Sequence, residues 1–498
     1  MAFMVRACED RDVNFPAGTA PKLPDRQDSS PTEATHRWRA FSVCLVAGFM
    51  TLLDVSIVNV ALPSLRTGLS ASSSDLQWVS SGYALTFGLV LVAAGRIGDV
   101  RSRRTIFVAG LALFTAASAL CGLAPTALVL IGARLLQGVA GGMLQPQVSG
   151  FIQELFQGSE RGRAFGLFGA TVGLSTAVGP LIGGALIGLF GTDHGWRAVF
   201  FVNVPVGLVA VPLALRLLPA NSRPARRHQG LDLVGAAVLG LAVVLLLLPL
   251  VQSHAGSSPL LWLLLIPGAG ALGAFAGWEY RCRRHGGDPM VDLGLLRIRS
   301  YALGSGLGLL YFSGFTAIFF VLALFFQEGH GYSALESGLA ITPFALGSAV
   351  SAYVSGRWIN RVGRSLVIGG LLLVIGGLVL THVVVSGVSA DSIGWATAVP
   401  LLITGIGSGA VISPNLTLSL AEVPVEQAGT AGGIVQTGQR IGAAAGIAAV
   451  GSLFFSRLGA GHGDWNTALA DALWLCTGLT ALALVLALID LRQRHAAA

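Results

Sequence analysis

Three ionisable side chains stand where such groups are rare. Asp54, Arg134 and Arg440 each fall inside a long apolar run. On insertion scales a charge at the centre of a membrane span costs about 2.5–3.5 kcal/mol, so it requires a partner, water or a task. Asp54 lies nine residues before Pro63, at which its run ends. At the helical rise that is about 13 Å below the edge of the span. Arg134 enters from the same edge in a later run and lies about 9 Å below it. The depths match, so the pair can face one cavity. A carboxylate held this way can bind and release a proton, because apolar surroundings favour the neutral acid and a nearby Arg favours the charged one. Arg440 lies about twelve residues into its own run, and Gln436 precedes it by four on the same helix face. One acid set against two arginines does not favour a dication, so a neutral, anionic or zwitterionic ligand is expected. The alternative is that Arg440 pairs with Asp54 or with carbonyls and never meets a ligand.

The elements that must hold these residues follow from composition. Of 498 residues 53% are hydrophobic and only 11% are charged, with a mean hydropathy of +0.74. Soluble domains carry about 25% charged residues, so a soluble enzyme and a disordered chain are both excluded. Cys8, Cys44, Cys121, Cys282 and Cys476 are scattered without a C-x-x-C pair. That argues against a disulfide scaffold, an iron–sulfur site or structural zinc. Fourteen runs are long enough to span a bilayer, each roughly 20 residues or more. They fall at 41–63, 78–97, 105–124, 128–152, 164–190, 198–217, 231–251, 259–278, 303–327, 337–359, 365–386, 393–418, 429–455 and 468–490. Unbroken runs such as 238–250 do not alternate, which excludes a β-barrel. The expected fold class is an all-α membrane protein.

Basic residues orient the chain. With both termini cytoplasmic, inner segments hold 26 of the 31 Lys and Arg, and outer loops hold Arg66, Arg197 and Arg457. The net charge of +7 is thereby explained by topology, without nucleic acid as a partner. Residues 1–40 are polar and lack the apolar core of a signal peptide, so they read as a disordered cytoplasmic tail. Lys22 is the one lysine, a bias that suggests a GC-rich, bacterial coding sequence.

Two loops repeat. Gly95-Arg-Ile-Gly-Asp99-Val-Arg101-Ser-Arg103-Arg104 is echoed by Gly356-Arg-Trp-Ile-Asn360-Arg361-Val-Gly363-Arg364, 261 residues later. Gln145-Pro146-Gln147 is matched by Ser413-Pro414-Asn415, and Glu160 by Glu426. Spans 1–6 and 9–14 therefore read as related six-helix halves around a central site. The expected divisions are 41–217 for the first bundle, 218–302 for an inserted hairpin with its linkers, 303–490 for the second bundle and 491–498 for a tail. Asp99, at the end of span 2, can pair with an arginine or with the N-terminus of a neighbouring helix. Gly95 permits close approach beside it. Gly95, Asp99, Arg101, Arg103 and Arg104 are thus the candidate conformational latch; plain topology is the alternative for the arginines. In span 5, glycines spaced by four allow tight packing, and Pro180 invites a kink.

At these residues the chain resembles the major facilitator superfamily. The loop after span 2 is similar to that family's G-x-L-A-D-R-x-G-R-K/R signature, with Ser102 for the second glycine and Asn360 for Asp in the second copy. Gly173 to Gly184, with Gly179, Pro180 and Gly183, resembles the antiporter signature of drug exporters. Leu53 to Pro63, including Asp54 and Asn59, looks like the first-span signature of the fourteen-span drug–proton antiporters. Leu128 to Gly138, with Arg134 and Gln137, resembles the fourth-span signature linked to proton coupling. Gly195 to Gly207, containing Asn203, and Leu231 to Leu239 resemble that branch's sixth- and seventh-span motifs. The resemblance implies two six-helix bundles plus a two-helix hairpin, and proton-coupled export of drug-like amphipathic molecules across the plasma membrane. It implies protons as coupling ion with no cofactor. Asp54 and Arg134 are then the proton-coupling residues. Asp54, Asn59, Tyr83, Gln137, Gln436 and Arg440 are the expected substrate cavity. Glu154, Asp232 and Glu279 read as boundary charges, and a monomer is expected.

No G-x4-G-K-[ST], H-E-x-x-H or G-x-S-x-G is present, so ATP drive and common hydrolytic chemistry have no support. Two other functions stay open: a dedicated exporter of one metabolite, such as a self-made antibiotic or siderophore, and a transport-inactive sensor or scaffold on the same fold.

Overall fold

The computed structural model describes residues 31–191, 194–220, 232–252, 259–388, 392–460 and 464–497. The expected tail 1–30 and Leu231 of the seventh-span motif lie outside them. Fourteen helical segments among the described residues are long and apolar enough to cross a membrane.

The first half runs α1 (Pro31–Leu69), α2 (Ser73–Ile97), α3 (Arg103–Leu123), α4 (Ala127–Leu155), α5 (Gly158–Phe190), α6 (Gly195–Phe201) and α7 (Asn203–Leu217). The hairpin is α8 (Leu233–Val251) and α9 (Leu265–Arg284). The second half runs α10 (Arg299–Leu324), α11 (Ala334–Val362), α12 (Arg364–Gly387), α13 (Ile393–Ala396), α14 (Ala398–Ser419), α15 (Ala428–Ala460) and α16 (Trp465–Ala497). Three expected boundaries shift. The first helix begins at Pro31 and takes in the last ten residues of the stretch 1–40 expected to be a tail, and α16 runs on through Ala497. The sixth span divides between Phe201 and Asn203.

The start of α1 and the end of α16 share one end of the bundle, termed here the terminal end; the other is the distal end. α2 and α11 start at the distal end with the same device. Ser72 accepts from the Asp75 amide while Asp75 accepts from the Ser72 amide; Ser333 and Glu336 do the same. Such reciprocal caps satisfy two of the orphan donors at a helix start.

The halves meet along two seams, α5 against α11 and α2 against α15. Both seams are tightest near the terminal end. A Cβ on Gly95 would stand 2.4 Å from the Gly429 carbonyl, and one on Gly162 would stand 2.6 Å from the Gly356 carbonyl. Only glycine permits these approaches. The main buried cluster of the first half also takes in Tyr301, Leu416, Leu420, Ala431 and Val435 of the second, so that end is closed. At the distal end of α5, a Cβ on Gly184 or Gly188 would meet nothing within 4 Å. α8 packs on both α2 and α15, placing the hairpin beside the seam.

Candidate functional site

Asp54 is the hub of a sealed polar cluster in the first half. Its carboxylate accepts from Arg134 Nη1 at 2.5 Å, Gln137 Nε2 at 2.8 Å and Asn203 Nδ2 at 3.1 Å. Arg134 also donates to Gln137 Oε1 at 2.7 Å and from Nε to the Val79 carbonyl at 3.0 Å. Ser118 accepts from Gln137 and Asn203 and donates to the Phe200 carbonyl. Six helices contribute: α1, α2, α3, α4, α6 and α7. The break at Val202 places Asn203 at the start of α7, one turn before Gly207 lets that helix close on Thr115. Asp54, Gln137 and Ser118 are fully buried, and Arg134 and Asn203 are 1% exposed. Buried ion pairs hold only when remaining donors and acceptors are satisfied, which this network achieves around the carboxylate.

Beside the cluster lies a cavity of about 60 Å³. Asn59, Ser80, Tyr83, Phe87, Arg134 and Arg440 line it, with apolar α1 residues. The Arg134 guanidinium lies 4.3 Å over the Tyr83 ring, and Arg440 lies 4.4 Å over Phe87. Small-molecule pockets usually measure roughly 300–1,000 Å³, so this state admits water or a head group and no whole ligand. A larger pocket, about 330 Å³, lies by the end of α9 and shares no residue with the cluster.

The expected cavity set divides. Asn59, Tyr83 and Arg440 line the cavity with Arg134. Asp54 and Gln137 do not: they stand behind Arg134, which covers them. Gln436 is also absent from it. Its amide turns one helical turn toward the terminal end, donating to Ser149 Oγ at 3.3 Å and facing the Gln145 carbonyl at 3.5 Å across the seam. Sequence supplied the depth of each residue; the direction in which it points depends on packing.

The terminal end carries a second charged cluster. Asp99 sits in a wide turn, Gly98–Ser102, that joins α2 to α3. Its carboxylate accepts from the Gly429 amide at 3.0 Å, the Thr430 amide at 2.7 Å and Thr430 Oγ1 at 2.8 Å. It thereby caps the start of α15 in the other half, where helix geometry leaves amides unpaired and favours negative charge. Arg103 pairs with Asp99 and with Glu154, each at 2.8 Å, and donates to the Val425 carbonyl across the seam. Glu154, expected as a boundary charge, is therefore part of this cluster. Of the other expected latch residues, Arg101 is exposed, and Arg104 donates to the Leu215 carbonyl of α7 in its own half.

The antiporter helix also divides. Gly173 and Pro180 face α11, with a Cβ on Gly173 3.1 Å from the Ala349 amide and Pro180 against Gly338. Gly179 and Gly183 face α1 at Ser56 and Ile57, and Gly184 faces no neighbour. The helix continues through Pro180 without a break. In the hairpin, Glu279 is not a boundary charge on the surface but 1% exposed, and Asp232 caps α8 while accepting from Trp278.

Asn203, Ser118 and Glu154 were missed as site residues. The sequence signal for Asn203 was an amide inside an apolar run beside Pro205; Ser118 has no comparable signal.

The sequence model described as the Major Facilitator Superfamily matches residues 44–447 and, in a second match, 307–497. The chain belongs to the Major Facilitator Superfamily. It is 36% identical over 440 residues to the "Probable actinorhodin transporter" of Streptomyces coelicolor, covering 88% of this chain and 75% of that protein. It is 33% identical over 481 residues to the "Puromycin resistance protein pur8" of Streptomyces alboniger, covering 93% of each. The solved proton:xylose symporter XylE, another major facilitator, superposes with a TM-score of 0.65 at 15% identity, covering 91% of this chain and 95% of that one. At that identity the likeness shows the fold. This major facilitator is a multi-pass membrane protein with bacterial relatives, from a family of transporters.

Proposed function

We propose that this protein exports drug-like amphipathic small molecules across the bacterial plasma membrane in exchange for protons. Both termini are cytoplasmic in this reading, so the closed terminal end faces the cytoplasm and the distal end faces outward. The observation that carries the reading is the Asp54 cluster: a carboxylate sealed in the bundle, bonded to Arg134 and standing one side chain behind the cavity wall. The names of the relatives, a transporter and a resistance protein, support export as the direction of transport.

The chemistry follows from the network. Ionised Asp54 holds Arg134, Gln137 and Asn203 together. A proton on the carboxylate removes its attraction for Arg134 and turns one acceptor oxygen into a donor. Arg134 is then the only member of the pair still charged, and it already forms part of the cavity wall. Its release couples protonation to the cavity, and the Asp99–α15 contact must part for the terminal end to open. A buried charge pair can serve packing alone, as Arg364 and Asp490 do; what favours transport over a static scaffold is that Arg134 also forms part of the cavity wall. Dedicated export of one compound remains the second reading, favoured by relatives named for single antibiotics.

The test is proton release from acid-loaded inside-out vesicles on adding cationic, neutral and anionic compounds. Wild type is expected to release protons with particular compounds. A strong response to one compound alone would select the dedicated exporter. Silence with every compound would overturn the antiport reading.

A further inference from the structure

We propose that the cavity selects amphipathic substrates with an aromatic body and an anionic oxygen, such as a carboxylate or phenolate, and that Arg440 is the selecting residue. This deepens the export reading and rests on it for the identity of the cavity.

Two charged side chains line the cavity, and both are arginines. Their situations differ. The charge of Arg134 is matched by Asp54 at 2.5 Å on the side away from the cavity. Arg440 has no ion-pair partner among the described residues, and its guanidinium rests on the Phe87 face. The helices around it offer no other acid. Between the latch and the distal loops, α1 carries Asp54 alone, and α2, α4 and α15 carry no carboxylate at that depth. The cavity thus keeps a net positive charge while Asp54 is ionised. Protonation of Asp54 adds a second positive charge to the same wall.

An unmatched guanidinium in the middle of a span is costly, and such residues face a water-filled or ligand-filled space. The rest of the wall suits an anionic head. The Ser80 hydroxyl is buried without a hydrogen-bond partner, and Asn59 is exposed. The Arg fork accepts a carboxylate through two parallel hydrogen bonds. Tyr83 and Phe87, with ring centroids 5.8 Å apart and planes tilted by 35°, give the wall two aromatic side chains for an aromatic body to pack against. A cationic ligand would meet two guanidiniums and no accessible carboxylate.

Binding can be measured on the purified full chain in detergent, without a proton gradient. The probes are naphthoate, naphthamide and naphthylmethylammonium, which share a body and differ in charge. Affinity is read from the rise in melting temperature with probe concentration. Naphthoate is expected to bind wild type at least about tenfold more tightly than the other two, as a bidentate charge-assisted contact allows. Arg440→Gln should fold as well as wild type, since no ion pair is lost, and should show no preference. Arg440→Lys should keep part of it, because it retains the charge without the planar fork. Arg283→Gln, in the separate pocket by α9, should behave as wild type. Equal binding of the three probes, tighter binding of the ammonium, no binding of naphthoate, or an unchanged preference in Arg440→Gln would each overturn the proposal. Failure of export in vesicles would leave this binding result standing, so the two readings fail separately.

Discussion

The two halves share a framework and diverge in what its charges do. Ser72 and Ser333, Gly95 and Gly356, and Arg103 and Arg364 are each 261 residues apart and hold equivalent places on α2–α3 and α11–α12. Arg103 uses its place to join the halves, reaching Asp99, Glu154 and the Val425 carbonyl. Arg364 uses the same place to tie its own half together, pairing with Asp490 of α16 and donating to Asn415 Oδ1 at 2.7 Å. Asp99 caps α15 across the seam, whereas its counterpart Asn360 is exposed. The membrane interior diverges in the same direction. α1 carries Asp54, while α10 carries no charge beyond Arg299 at its start. The two halves share a scaffold; the carboxylate behind the cavity wall and the acid that caps a helix across the seam belong to the first.

Five substitutions can break or sharpen that contrast. The largest effect is expected at the two buried pairs. Arg364→Leu leaves Asp490 without this cation and should cost about 3–5 kcal/mol of stability, read by thermal unfolding in detergent. The protein that remains folded should still transport. Arg134→Leu should cost a similar amount and also abolish transport. Equal transport per folded molecule in the two variants would remove the functional difference between the halves.

The next effect is at the latch. Asp99→Asn loses the charge in a set of hydrogen bonds to α15 and should shift the equilibrium toward an open terminal end by about 2 kcal/mol. Distances between spin labels on the ends of α2 and α15 would report a larger open fraction. An unchanged distance distribution would reduce this cluster to topology. A fourth substitution addresses the Asp54 shell. Asn203→Leu removes one donor from the Asp54 carboxylate. Substrate-dependent proton release per folded molecule should fall about tenfold, as the loss of a hydrogen bond to a charged group allows. Release at the wild-type level would mean that the bond from Asn203 plays no part in the exchange. The smallest effect is Asn360→Asp, which restores the first half's acid in the second. It should stabilise the closed end by less than about 1 kcal/mol, because a helix N-terminus alone attracts an exposed carboxylate weakly.

Much of the fold was legible because lipid demands long apolar helices, and these stand out from their polar loops. The repeat was legible for the same reason that it survives: close approach at Gly95 and Gly356 leaves no room for a side chain. Matching depths brought Asp54 and Arg134 together before any coordinates, since the helical rise converts sequence position into height. Rotation about the helix axis was not legible. It hides Asp54 and Gln137 behind Arg134, turns Gln436 toward α4, and splits Gly173 from Gly179. Neutral polar residues such as Ser118 carry too little insertion cost to stand out. Glu154 stood out as a charge, but its partner Arg103 lies 51 residues away. The start of α1 at Pro31 was missed because its first turns are polar.

The central claim is that Asp54 carries the exchanged proton, and Asp54→Asn tests it most directly. The measurement sets substrate-dependent proton release against substrate counterflow, which needs no proton movement, in the same vesicles. An amide keeps the shape of the carboxylate and cannot ionise. Counterflow retained with proton release lost is the predicted result. Proton release at the wild-type level in Asp54→Asn would contradict the account.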